Sequence, residues 1–286
     1  MPKSKNSQKN AKVTNQNSKK KANKKSEKTD LVLKSDNVMT PEELKGQYDV
    51  LPKEMKEKFD KVKPNVEKFT KNILEKFDEY IMGVALLPDQ KDEKGNLDTK
   101  STHLLILVDD SDSKKMTKYE LKEKLSKIIY SMAQDIDKSM QPNTIILSEL
   151  WQSLYDQKFE LVNMVAFCAP VYDRGILSAV KISETHKRMV IKKFEKYIVS
   201  HCIAGAFTKG RRTQQSDIDV YIVIDDTDVK KMTRVELKDK LRAIIISMGY
   251  EAKQITGVNR EFHIQVYILT DFWDSLKEAH QSYLIC

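Results

Sequence analysis

Short apolar runs separated by polar stretches dominate this chain from residue 39 onward, whereas the first 38 residues are mostly Lys, Asn, Ser and Gln. Such a segment cannot bury enough surface to offset the entropy of ordering, and it reads as a disordered arm. Thr40, Pro41, Glu42 and Glu43 form a helix start, with a capping side chain, a proline in the first turn and acids at the positive end of the dipole. Helical periodicity then predicts helices to about Tyr80, with an interruption near Pro64. Two apolar runs, Tyr197 to Ala204 and Ile218 to Ile224, read as strands joined by a glycine-containing polar loop. A long helix is predicted from Ile176 to Lys196.

The pattern repeats, and the repeat organises the chain. Phe77 to Ile81 matches Phe194 to Ile198, Leu105 to Thr117 matches Tyr221 to Thr233, and Leu147 to Leu154 matches Leu269 to Leu276. Each unit reads helix, strand, loop, strand, helix, strand, helix. The expected fold is therefore α/β (α+β), a mixed β-sheet flanked by helices, in two tandem copies. The expected divisions are the arm at 1–38, a first domain with N-terminal helices at 39–180, and a second domain at 181–286. Copy two stops soon after Trp273, without the segment that closes copy one, and is expected to be truncated at its C-terminus.

Charge is unevenly placed. The first 28 residues carry ten lysines against one acid, Glu27, while the remainder holds 40 basic and 41 acidic residues. The net charge of +8 thus describes the arm more than the folded part. The arm is expected either to bind RNA by counterion release or to act as a solubilising tail. Cys168, Cys202 and Cys286 are too few and too widely spaced for a disulfide frame or a zinc site, which points to reduced thiols and a cytoplasmic protein. No apolar run reaches the roughly 18 residues of a membrane span, so no membrane partner is expected. Nothing in the sequence names a protein partner.

Candidate chemistry concentrates between Gly205 and Asp226. Asp217 and Asp219 lie two apart on a predicted strand, so both carboxylates project from one face. Two hard oxygen ligands suit Mg²⁺, which takes one or two protein carboxylates and completes its shell with water and substrate phosphates. Gly205 lets the backbone approach a phosphate, with Thr208, Lys209, Arg211 and Arg212 nearby as donors. Gly205 to Arg211 has the outline of a phosphate loop, but that motif requires Lys, then Ser or Thr, and a helix immediately afterwards. An ordinary hairpin with solvated aspartates is the plain structural alternative.

Gly205, Asp217, Ile218, Asp219 and Val220 together resemble the signature of the polymerase-beta-like nucleotidyltransferase superfamily, in particular its minimal members. Ala206 departs from the Ser or Gly usual there. The resemblance implies an enzyme using Mg²⁺ to move a nucleoside monophosphate from a nucleoside triphosphate to a hydroxyl acceptor. Under it, Asp217 and Asp219 hold the metal, while Gly205, Ala206, Thr208, Lys209, Arg211 and Ser216 hold the nucleotide. It also implies a third carboxylate on a later strand, where this chain offers Gln265 and His263. Copy one carries Ser101 and His103 at the places of Asp217 and Asp219 and reads as a degenerate copy. The competing expectation is a non-catalytic nucleotide- or RNA-binding module on the same scaffold. Asp225, Asp226 and Asp228 recur as Asp109, Asp110 and Asp112 and are expected to shape turns and cap helices. Trp151 and Trp273 are expected to be core anchors.

Overall fold

A computed structural model describes residues 38–91, 95–113, 116–156, 158–204, 217–227 and 232–277. Residues 35–286 cluster as one unit. Helices α1 (Pro41–Asp49) and α2 (Lys53–Phe77) lead into strand β1 (Ile81–Leu86). A small hairpin, β2 (Gln90–Lys91) and β3 (Leu97–Asp98), precedes β4 (Thr102–Val108), α3 (Lys118–Gln134), β5 (Met140–Ile146), α4 (Leu147–Tyr155), α5 (Phe159–Phe167) and β6 (Ala169–Asp173). Helix α6 (Ile176–Phe194) and a short 3₁₀ turn then enter β7 (Ile198–Ala204), β8 (Ile218–Ile224), α7 (Arg234–Thr256), β9 (Phe262–Ile268) and α8 (Leu269–Lys277).

Two mixed sheets result. The first has the order β5-β4-β1-β6, with β1 antiparallel to β4 and β6, and β4 parallel to β5. The second has the order β7-β8-β9, with an antiparallel pair followed by a parallel one. The run β1, β4, β5 and the run β7, β8, β9 therefore share one pairing pattern. The parallel step is bridged in each by a helix, α3 or α7, as parallel strands require a crossover. Both helices start with the same capping box, Thr117 with Glu120 and Thr233 with Glu236. Asp109 N donates to Tyr80 O and Asp225 N to Tyr197 O, each at 2.7 Å. The buried Asp110 and Asp226 carboxylates accept from the first turns of α4 and α8, at Ser148 and Thr270. These aspartates therefore tie strand ends to the helix after the following strand, whereas α3 and α7 are capped by threonine.

Pro64 sits inside α2 without ending it, and the break falls at 50–52. Proline removes one N–H and frees one carbonyl, and Pro64 is on the exposed side of the helix, where water satisfies that carbonyl. Trp151 packs partly buried against the core, but Trp273 is 54% exposed.

Coverage distinguishes the sheets. The first is buried on both faces: α2 and α3 contribute Phe69, Ile73, Ile129 and Ala133 to one side, while α4, α5 and α6 contribute Leu150, Val165, Val180 and Ile182 to the other. The second sheet buries Val220, Ile222, Ile224 and Val266 against Val190 of α6 and Leu237, Leu241 and Ile245 of α7. The other face of that sheet carries Ser200, Cys202, Asp219, Tyr221, His263, Gln265 and Tyr267, none of them buried, together with the buried Ala204 and Val223. The division expected at 180/181 falls inside α6, which packs against both sheets.

Because α6 begins in the interior, its first N–H groups have no water to bond. Asp173 supplies the acceptors: Oδ1 takes the N–H of Gly175 and Leu177, and Oδ2 takes the N–H and hydroxyl of Ser178. Burial raises the pKa of this carboxyl, with the Ser178 hydrogen bonds and the Arg260 charge opposing the rise. Gly175 sits at φ 94°, and a Cβ there would lie 2.5 Å from the Arg260 guanidinium. Arg260 in turn pairs with Glu43 of α1 at 3.6 Å. Gly257, at φ 65°, packs so closely on α1 that a Cβ would fall 2.1 Å from Gly46 O.

Farther along α6, His186 Nε2 lies 3.0 Å from Ile245 O, and its Nδ1 lies 3.2 Å from His201 Nε2. A carbonyl only accepts, so His186 carries its proton on Nε2 and His201 donates from Nε2 to His186 Nδ1. Burial lowers both pKa values; His201 is pushed down to about 3, with the charges of His186 and Lys187 adding to the effect.

Two outcomes follow from these buried groups. Asp173→Ala strands backbone donors that water cannot reach and should cost about 2–4 kcal/mol in denaturant unfolding, against less than about 0.5 for the exposed Asp112→Ala. Of the two histidines, His201 should remain a neutral Nε2–H tautomer by ¹⁵N NMR at pH 5, where a solvated imidazole is mostly protonated. Their depressed folded pKa values contribute stability that is present above pH 6.5 and is lost as pH falls from there towards about 3.

Candidate functional site

Strand β8 brings the paired aspartates to the face of the second sheet opposite α7. Asp217 immediately precedes the strand and Asp219 is its second residue, with Ile218 between them buried on the opposite face. Asp219 pairs with Ala204 at the end of β7 and with His263 near the start of β9. The chain therefore leaves β7 and enters β8 at the sheet end that holds the carboxylates. Gly205, Ala206, Thr208, Lys209, Arg211, Arg212 and Ser216 all belong to that connection and lie outside the described residues.

The register brings the carboxylates and His263 together. His263 Nδ1 lies 3.6 Å from Asp217 Oδ2 and 3.7 Å from Asp219 Oδ1. Gln265 lies opposite Tyr221, one pair farther along the same face, and accepts a hydrogen bond from the Tyr267 hydroxyl. Tyr221 and Tyr267 stack with centroids 5.9 Å apart and planes 12° apart. The imidazole is thus the side chain of β9 that stands beside the carboxylates.

In the first sheet the corresponding place has different chemistry. Ser101 precedes β4, and His103 pairs with Gln141 of β5 as Asp219 pairs with His263. His103 Nε2 faces Asp98 of the hairpin strand at 3.4 Å. The neighbouring positions on that face, Leu105 and Leu107, are buried in the core.

Electrostatics mark the second site as short of positive charge. Burial raises the pKa of Asp219, and the nearby Asp217 adds to the rise while His263 opposes it. A half-buried carboxylate beside a second one stores a cost that a divalent cation would remove. Among the described residues no group of three or more His, Cys, Asp or Glu is arranged as a complete set of metal ligands. Two carboxylates open to solvent nevertheless suit Mg²⁺, which takes the rest of its shell from water and phosphate. Cys168 and Cys202 are free thiols, and burial pushes Cys168 up to about 11, which removes it from nucleophilic chemistry at neutral pH. Among the described residues no helix is long and apolar enough to cross a membrane.

The sequence placed His263 on a strand and near the third position, but its contact with both aspartates depends on the parallel register of β8 and β9. That register carries no local sequence signal. Alignment of the repeat units was the available clue, since it sets β9 against β5.

The raised Asp219 pKa fixes the sign of a test. Below the ordinary carboxylate value of 3.8 the group is protonated in folded and unfolded chains alike. As pH rises beyond it, ionisation is harder in the folded chain, so a destabilising contribution accumulates and persists at neutral pH. In metal-free buffer at pH 7, Asp219→Asn should melt above wild type, with the difference vanishing towards pH 3. Adding Mg²⁺ should raise the wild-type melting temperature and leave the variant unchanged.

Comparison with protein-family models, with characterised proteins and with solved structures found no match to this chain.

Proposed function

We propose that the second sheet carries a Mg²⁺-dependent nucleotidyltransferase site on a nucleotidyltransferase fold, and that the two sheets are tandem copies of that fold. The observation that carries the reading is the placement of His263 Nδ1 3.6 Å from Asp217 Oδ2 and 3.7 Å from Asp219 Oδ1 on the sheet face opposite α7. Support for duplication comes from the shared strand pairings, the paired capping boxes and the matching aspartate contacts at the strand ends. The first copy, with Ser101 and His103 at the equivalent positions, serves packing and holds no metal.

Asp217 and Asp219 would hold the metal, and Gly205, Ala206, Thr208, Lys209, Arg211 and Ser216 would bind the triphosphate. Bound Mg²⁺ would orient the triphosphate and neutralise charge developing on the leaving pyrophosphate. The acceptor hydroxyl oxygen forms a bond to the α-phosphorus, the bond from that phosphorus to the bridging oxygen breaks, and pyrophosphate departs. The hydroxyl proton goes to His263. Carboxylates accept only, so they draw the imidazole N–H to Nδ1 and leave Nε2 as the base. The Tyr221 and Tyr267 rings lie farther along the same face.

One observation favours a second reading, in which the site binds nucleotide without transferring it: an imidazole rather than a carboxylate stands beside the aspartates. The lysine-rich arm would then add electrostatic affinity for RNA. Both readings place the protein in the cytoplasm, in line with its free thiols.

The deciding measurement is label transfer from each of four α-labelled triphosphates, with Mg²⁺ and cell extract as the acceptor source. Label should appear on an acceptor and be lost in Asp217→Asn, and His263→Ala should lower the rate about 10²–10⁴-fold while triphosphate binding persists. Calorimetric binding without any label transfer would establish the second reading.

A further inference from the structure

Helix α7 and the outer edge of β9 enclose a groove of about 730 Å³ on the flank of the second sheet. Its lining includes Lys238, Arg242, Tyr250, Lys253, His263 and Tyr267, with Glu261 the one carboxylate among its described lining residues. Gly249 allows the close approach of helix and strand, since a Cβ there would fall 2.3 Å from Ile264 and 3.4 Å from Phe262. The last turns of α7, bearing Lys253, therefore pack near the start of β9, at the His263 end of the groove.

A row of cations on an exposed helix is by itself ordinary. The repeat supplies the comparison that makes this row informative. The capping boxes align Glu120 with Glu236, so Lys238, Arg242 and Tyr250 correspond to Lys122, Ser126 and Gln134 of α3, while Lys253 lies in the last turns of α7, beyond the point at which the shorter α3 ends. Lys238 keeps a structural role shared by both units: it faces Asp271 at 3.8 Å as Lys122 faces Glu149 at 2.7 Å. Arg242, Tyr250 and Lys253 differ. In the first unit, Ser126 and Gln134 are neutral, and no helical residue of α3 stands at the place of Lys253. The second unit has thus exchanged two neutral positions for a cation and an exposed aromatic ring, and has added a second cation on the extended end of α7, on the copy that also holds the aspartate pair. Among the described residues neither Arg242 nor Lys253 forms an ion pair.

We propose that this groove binds single-stranded nucleic acid, with phosphates on Arg242 and Lys253 and a base against Tyr250, and delivers the strand end to His263 and the aspartates. Arg242 and Lys253 stand eleven residues apart, about 16 Å along the helix axis, which suits a polymer with several phosphates better than a single anion. Tyr250 is 66% exposed between them. Cations tracking a backbone together with an aromatic platform are the combination that holds single strands without reading sequence. The inference names the acceptor class for the transferase reading and rests on that reading for delivery of the strand end; the binding itself does not.

The test is fluorescence anisotropy of the full chain with a labelled single-stranded RNA of mixed sequence, over a range of salt. Arg242→Glu with Lys253→Glu should weaken binding at least tenfold and lower the salt slope by about 1.4, from two lost phosphate contacts at about 0.7 each. Lys124→Glu with Lys127→Glu on α3 makes the same change in net charge and should alter affinity less than twofold. Arg242→Gln with Lys253→Gln, checked for an unchanged melting temperature, should produce a smaller loss in the same direction. Equal losses in both charge-reversed variants, or no loss in either, would overturn the groove and leave the arm as the RNA contact. Competition by polyglutamate as effective as by unlabelled RNA would overturn the nucleic-acid assignment. Weakened RNA binding without label transfer would retain the groove and reject the transferase; transfer with RNA affinity indifferent to Arg242 and Lys253 would do the reverse.

Discussion

The buried start of helix α6 is the constraint on which the described architecture depends. A helix that begins in an apolar interior leaves several N–H donors without water, and an unsatisfied one costs roughly 1–3 kcal/mol. Asp173 accepts from Gly175, Leu177 and Ser178, and Met39 N donates to the Asp173 backbone carbonyl. Ser178 also accepts from Gln47 of α1. With its origin secured, α6 can pass between the sheets, giving Val180 and Ile182 to one core and Val190 to the other. Arg260 lies over Gly175 and reaches Glu43, so the same node joins α1, α6 and the turn before β9.

Once α6 is spent on both sheets, coverage becomes unequal. The first sheet has α4 and α5 as well as α6 on one face and α2 and α3 on the other, and its strands read as nearly continuous apolar runs, as expected of strands buried on both sides. In the second sheet alternate positions of β8 and β9 face out, and Asp219, Tyr221, His263 and Gln265 occupy them. Charged chemistry is compatible with such a face and incompatible with the first sheet, where an unpaired carboxylate at the place of Leu105 would be prohibitively desolvated. The difference in coverage therefore accounts for where ionisable groups can gather.

Electrostatics on the second unit point in one direction. Asp217 and Asp219 raise the local demand for a cation, His263 meets part of it, and α7 presents Arg242 and Lys253, which form no ion pair among the described residues, on the adjoining flank. Opposite charges held near one another without neutralising contacts are expected where a ligand carries the complementary pattern, a cation-bridged phosphate at one end and free phosphates along the rest.

Much of the organisation was legible in the chain itself. Apolar runs marked β7 and β8, Thr40 followed by Pro41, Glu42 and Glu43 marked the start of α1, and repeated segments marked two units of one element order. The i, i+2 spacing of Asp217 and Asp219 placed both carboxylates on one face, because strand geometry has a period of two. These are local properties, set by steric and hydrogen-bonding rules that act within a few residues. Tertiary structure decided what depends on distant segments: that His263 rather than Gln265 stands opposite Asp219, that α2 runs through Pro64, and that Trp273 remains exposed. It also decided that Asp173 caps a helix in the interior and that α7 and β9 enclose a basic groove. Register across a parallel pair and coverage of a sheet face are set by packing between elements far apart in sequence, and no window of residues contains that information.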